Sequence, residues 1–100
     1  MAAAKLEEQS PGHYRVSGEL SFATVTALLL QSRSVFAGET VLEMELSGVT
    51  HADSAGLSLL IEWLRQAKLQ GKQLHYRSLP TQLSALASIS DVDGLLSHSA

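Results

Sequence analysis

The chain has 100 residues, a formal net charge of −3 and 45% hydrophobic residues. That suits one small domain with a modest core. Its lysines and arginines are scattered, without a basic stripe, which argues against nucleic acid or anionic lipid as the direct ligand. Cysteine is absent, which excludes disulfide and thiol chemistry. No apolar run approaches the roughly 18 residues of a membrane span. Met1 to Glu8 lacks the apolar stretch of a signal peptide. The expectation is a cytoplasmic protein with no direct membrane insertion.

Lys5 to Gln9 is a weak strand candidate, followed by the turn signal Ser10-Pro11-Gly12. His13 to Ser17 alternates, with Tyr14 and Val16 on one face, so an N-terminal hairpin is expected. Gly18-Glu19-Leu20 closes it. Ser21 is read as the cap of a helix in which Phe22, Val25, Leu29 and Phe36 repeat at helical spacing, with Gly38 as its stop. Thr40 to Leu46 is the clearest strand. Leu42, Met44 and Leu46 share one face, and Glu43 and Glu45 lie on the other, which predicts a sheet covered on one side and partly wet on the other.

The stretch Leu46 to Leu57 reads as the end of a buried strand, a short loop and the start of the strongest helix, Ala55 to Gln70. Leu57, Leu60, Ile61, Leu64 and Ala67 form its apolar arc, and Gly71 ends it. At about 100° per residue, Leu59 lies nearly opposite the centre of that arc and Trp63 at its edge. Leu74 to Ser78 alternates again. Pro80 and Thr81 open a shorter helix with Leu83, Leu86 and Ala87, then a turn over Asp91 to Gly94. Leu95 and Leu96 are expected to pack back as a last turn or short strand, and Ser97 to Ala100 to form a frayed tail. Strands separated by helices imply parallel pairing with right-handed crossovers. The prediction is one α/β domain over residues 1–100, with its core in about residues 5–96. Its sheet is mixed but mostly parallel, with an N-terminal hairpin and helices mainly on one face.

The corner Asp53-Ser54-Ala55-Gly56 places a carboxylate, a hydroxyl and a glycine where a helix begins. Asp53 can accept the unpaired N–H groups of the helix start and can also fix the loop against a partner. Ser54 can cap, contact a partner or accept phosphate, a charge suited to the helix N-terminus but opposed by Asp53. Gly56 allows a close backbone approach, either of a partner or of a neighbouring strand. Leu59 and Trp63, one turn apart, read either as an exposed anchor or as a cover for the core edge. Catalysis is poorly supported. The four histidines lack metal-ligand spacing. His51, Asp53 and Ser54 are too close along one loop to form a relay, and no phosphate-binding loop with lysine occurs. Neither a catalytic residue, a metal nor a cofactor is expected.

Gly18-Glu19-Leu20, the strand ending Leu46-Ser47-Gly48-Val49, and Asp53-Ser54-Ala55-Gly56-Leu57 together resemble a STAS domain. This is the fold of anti-sigma factor antagonists and of domains attached to sulfate transporters. The resemblance spans about residues 13–90. It implies a non-catalytic interaction module, in one of two forms. In kinase-controlled antagonists the pattern is Asp-Ser-Ser-Gly and the second hydroxyl takes phosphate, but Ala55 stands there. The small stand-alone STAS subunits of Mla-type phospholipid transporters place a hydroxyl residue after the Asp and a small residue next, as Ser54 and Ala55 do. Ser21 departs from the Asp that many members carry.

The resemblance therefore implies a subunit that binds the cytoplasmic ATPase of a phospholipid ABC transporter, at the cytoplasmic face of the inner membrane, and supports lipid asymmetry. The expected contact residues are Asp53, Ser54, Ala55, Gly56, Leu59 and Trp63. The alternative is an anti-sigma factor antagonist controlled by phosphorylation of Ser54.

Overall fold

The structure, a computed structural model, describes residues 4–89. The turn expected at Asp91 to Gly94, the packing of Leu95 and Leu96, and the tail from Ser97 lie outside the described residues. The elements run β1 (Lys5–Ser10), β2 (His13–Leu20), α1 (Val25–Val35), β3 (Val41–Ala52), α2 (Ser54–Leu69), β4 (Gln73–Arg77) and α3 (Thr81–Ile89). They build one mixed sheet in the order β1-β2-β3-β4. The β1–β2 hairpin is antiparallel, and β2–β3 and β3–β4 are parallel.

Alternation along the strands sorts the two faces as expected. Val16, Leu42, Met44, Leu46, Leu74 and Tyr76 point into the core beneath the helices. The opposite face carries charge in register. One row reads Glu7, Arg15, Glu45, Arg77 across the four strands, and the next reads His13, Glu43, His75. Acids and bases alternate, the cross-strand arrangement that stabilises a wet sheet face. Arg77 also reaches diagonally, its Nε 2.9 Å from Glu43 Oε1. Hydrogen bonding from the Ser78 hydroxyl, ahead of that from Ser47, lowers the Glu45 carboxyl below its usual range.

Two expected boundaries move. β3 does not stop at Leu46 but continues to Ala52. Its pairing with β2 shifts register between Arg15 and Ser17 and again between Gly18 and Glu19. Each shift adds a residue to β3, so the strand absorbs the segment read as a loop. The helix read from Ser21 instead begins at Val25. Ser21 to Thr24 form a turn, because the Thr24 hydroxyl accepts from Ser21 N (3.0 Å) and donates to the Glu19 carbonyl (2.6 Å). Ser21 therefore does not cap α1, and its own hydroxyl donates to Glu19 Oε2 at 2.7 Å. Phe22, expected on the core face of a helix, sits in this turn and is 87% exposed.

The main helix ends as predicted. Gly71 adopts φ +69°. Its N–H reaches the Lys68 carbonyl (3.1 Å), and the Lys72 N–H reaches that of Ala67 (2.8 Å), the paired bonds of a Schellman stop.

Candidate functional site

The corner between β3 and α2 is held from three sides. Asp53 N donates to the Leu20 carbonyl at 3.1 Å, tying the corner to the end of β2. Ala52 N donates to Gln82 Oε1 of α3 at 2.8 Å. The Asp53 side chain caps α2, with Oδ1 accepting from Ala55 N (2.9 Å) and Gly56 N (3.3 Å). Asp53 is extended, with φ −121° and ψ −168°, as an N-cap residue should be. Asp53 Oδ1 is thus committed to backbone donors, and Ser54 becomes the first helical residue, exposed to solvent.

Gly56 is buried. A Cβ there would lie 2.8 Å from both Leu20 Cβ and Leu20 O, so the close approach it permits is that of α2 to its own sheet. Gly56 is not available to a partner.

Leu59 and Trp63 also correct the sequence reading. Leu59 is 4% exposed and Trp63 has no exposed surface. Trp63 Nε1 donates to Ser32 Oγ on α1 at 2.8 Å, and Ser32 Oγ donates to the Leu29 carbonyl at 2.7 Å. Trp63 lies inside the core against α1, deeper than the edge position expected for it, and no exposed anchor forms. The physical reason lies in the neighbours of α2, which packs on the sheet beneath and on α1 and α3 at its sides. Its buried arc is therefore wider than a single apolar stripe. Gly56, Leu60, Trp63 and Ala67 run along its centre, while Ile61 and Leu64 are only half-buried on one flank.

Above Leu59 the two helices leave an open groove of about 350 Å³. Phe22, Val25, Thr26 and Leu29 line one side, and Ala55, Ser58, Leu59 and Glu62 the other. Ala55 joins this groove to the corner at Asp53 and Ser54. Hydrogen bonding from Arg65, then from Gln66, pulls the Glu62 carboxyl down to about 2, so the groove ends at a Glu62–Arg65 ion pair, with contacts of 2.8 and 2.6 Å. The sequence reading missed Phe22, Val25, Leu29, Ser58 and Glu62 as parts of one surface. For Phe22 alone the Glu19-x-Ser21-x-x-Thr24 spacing was the available signal, since side chains that bond the backbone in a turn delay a helix.

The comparisons with known proteins agree with this fold. Two structures of SpoIIAA have the same fold. The anti-sigma factor antagonist SpoIIAA in its unphosphorylated form superposes with a TM-score of 0.67 at 14% identity, covering 87% of this chain and 83% of that one. The Bacillus cell fate determinant SpoIIAA in its phosphorylated form gives a TM-score of 0.70 at 15% identity, covering 94% and 87%. In sequence, the chain is 35% identical over 77 residues to the intermembrane phospholipid transport system binding protein MlaB of Haemophilus influenzae, covering 72% of each protein. A family described as "Mlab, STAS domain" matches residues 4–97. By both the family match and this relative, the chain belongs to the MlaB-type STAS domain family.

Proposed function

We propose that this protein is the STAS subunit of an Mla-type phospholipid transporter. It binds the transporter's cytoplasmic ATPase through the corner at Asp53, Ser54 and Ala55. It acts without catalysis, is peripheral to the inner membrane through that complex, and supports the transporter's assembly or activity in lipid asymmetry. Membership of the MlaB-type family and the likeness to a phospholipid transport protein support the transporter reading. No described helix is long and apolar enough to cross a membrane.

The observation that carries the site is the division of labour at the corner. Asp53 holds the backbone rigid through its cap, while the neighbouring Ser54 faces solvent at the start of α2. A preorganised contact loses little entropy on binding. The second reading, an anti-sigma factor antagonist, has the SpoIIAA fold in its favour. Ala55 counts against it, because it has no hydroxyl where the antagonists of the Asp-Ser-Ser-Gly pattern take phosphate. A phosphate on Ser54 would also sit beside the Asp53 carboxylate.

Affinity purification of the tagged chain under native conditions, with identification of what elutes, separates the two. The transporter reading expects a stoichiometric ATPase subunit. Recovery of a serine kinase, with phosphate transferred to Ser54, would establish the alternative.

A further inference from the structure

β4 stops short of the corner. Its pairing with β3 runs from Val41 and Gln73 to Glu45 and Arg77, whereas β3 continues beside β2 as far as Ala52. Ser78, at φ 58°, follows β4 and leads the chain towards α3. Among the described residues, no strand flanks β3 on that side beyond Glu45. The last two N–H groups before Ser54 therefore find different kinds of acceptor. Asp53 N donates to the Leu20 carbonyl on β2 (3.1 Å). Ala52 N donates to the side chain of Gln82 on α3 (2.8 Å). Ala52 is 6% exposed, so water is a poor substitute, and a buried N–H left without an acceptor is costly.

The bond to Leu20 is backbone to backbone and does not depend on a side chain. The bond to Gln82 depends on one acceptor, carried by the second residue of α3. Leu83 and Ala87, both without exposed surface, hold that helix in place. Gln82 itself is exposed, so burial of apolar area is not what it contributes. We infer that Gln82 is a positioning residue for partner recognition. By holding the Ala52 peptide, it fixes the corner at Asp53 and Ser54 in the geometry that the partner meets. The inference rests on the proposed docking at that corner. Without the acceptor, the last peptide of β3 is free to tilt, and the need to order it again weakens binding.

The test compares the full-length wild type with Gln82→Ala, Gln82→Met and Gln82→Glu. Gln82→Met removes the acceptor but keeps the length of the side chain. Gln82→Glu keeps an acceptor oxygen, and its charge suits the first turn of a helix. Melting curves check that each variant folds. Amide hydrogen exchange, read by NMR, follows the Ala52 N–H, and calorimetric titration with the purified ATPase subunit follows recognition. Ala52 exchange should quicken about tenfold in Gln82→Ala and Gln82→Met and stay slow in Gln82→Glu. Affinity should fall about threefold to tenfold in the first two and be restored in Gln82→Glu. Slow Ala52 exchange in Gln82→Met would overturn the clamp. Fast exchange with wild-type affinity would overturn the positioning role and leave the docking corner standing. Equal weakening in all three variants, with Ala52 still protected in Gln82→Glu, would overturn it in favour of direct contact between Gln82 and the partner. No binding by the wild type would overturn the docking corner and the positioning role together.

Discussion

Trp63 on α2 and Ser32 on α1 meet in the core through a 2.8 Å hydrogen bond from the indole N–H to the hydroxyl. Both side chains have no exposed surface. This pair fixes the spacing of the two helices that form the groove walls. Ser32→Ala would leave the indole N–H buried without an acceptor, at a cost of about 1–3 kcal/mol. Urea unfolding should show that loss, with an unchanged slope. A loss below about 0.5 kcal/mol would mean that the pair contributes little.

Gly56 joins α2 to the sheet. In an exposed helix, Gly→Ala stabilises by about 1 kcal/mol. Here the added Cβ would press on Leu20 Cβ and O, each at 2.8 Å, and the end of β2 is backbone that yields poorly. Gly56→Ala should therefore destabilise by about 1–3 kcal/mol, seen as a lower melting temperature. A raised melting temperature would show that the helix can lift off β2 at little cost.

Asp53 should separate stability from recognition. Asp53→Ala removes the acceptor for Ala55 N and Gly56 N and should cost about 0.5–2 kcal/mol. Asp53→Asn keeps an acceptor oxygen and should recover most of that loss. If Asp53→Asn binds the partner as the wild type does, the residue acts by shaping the corner. If it folds normally and binds poorly, the carboxylate itself touches the partner.

Tyr76 sets an alkaline limit. Its hydroxyl donates to the Leu60 carbonyl at 2.6 Å, and burial raises its pKa well above the ordinary 10.0. The folded-state value exceeds the unfolded one, so this contribution to stability is complete below about pH 10. It is lost as pH rises towards the folded-state value, because only the unfolded chain releases the proton easily. Phenolate absorbance from Tyr76 should appear only together with unfolding. Tyr76→Phe should cost about 1 kcal/mol at neutral pH and lose less stability above pH 10 than the wild type. Reversible ionisation of Tyr76 in the folded protein would contradict this account.

Much of the fold was legible because local chemistry and tertiary packing agree. Leu42, Met44 and Leu46 alternate with Glu43 and Glu45, and the sheet uses that alternation directly. Gly71 stops α2, and Asp53 caps it. Legibility failed where a distant neighbour decides. The extension of β3 through Ser47–Ala52 depends on pairing with β2 across two register shifts, which no local pattern in β3 announces. The burial of Trp63 depends on Ser32, 31 residues away. Phe22 was misplaced because Ser21 resembles a helix cap until Thr24 is seen to hold the preceding turn. At the site, the cap was readable from Asp53 and the helix start. The groove was not, since it exists only once α1 lies beside α2.

The proposed function requires the exposed start of α2 to be a docking surface for a transporter ATPase. Calorimetric titration of the purified ATPase subunit with the wild-type chain and with Ser54→Arg tests it most directly. Ser54 is exposed at the first position of the helix, so the substitution should leave the melting temperature nearly unchanged. Saturable binding by the wild type is expected, with a loss of about tenfold or more in Ser54→Arg, equivalent to about 1.4 kcal/mol. Equal affinity of the two proteins, both folded, would contradict it.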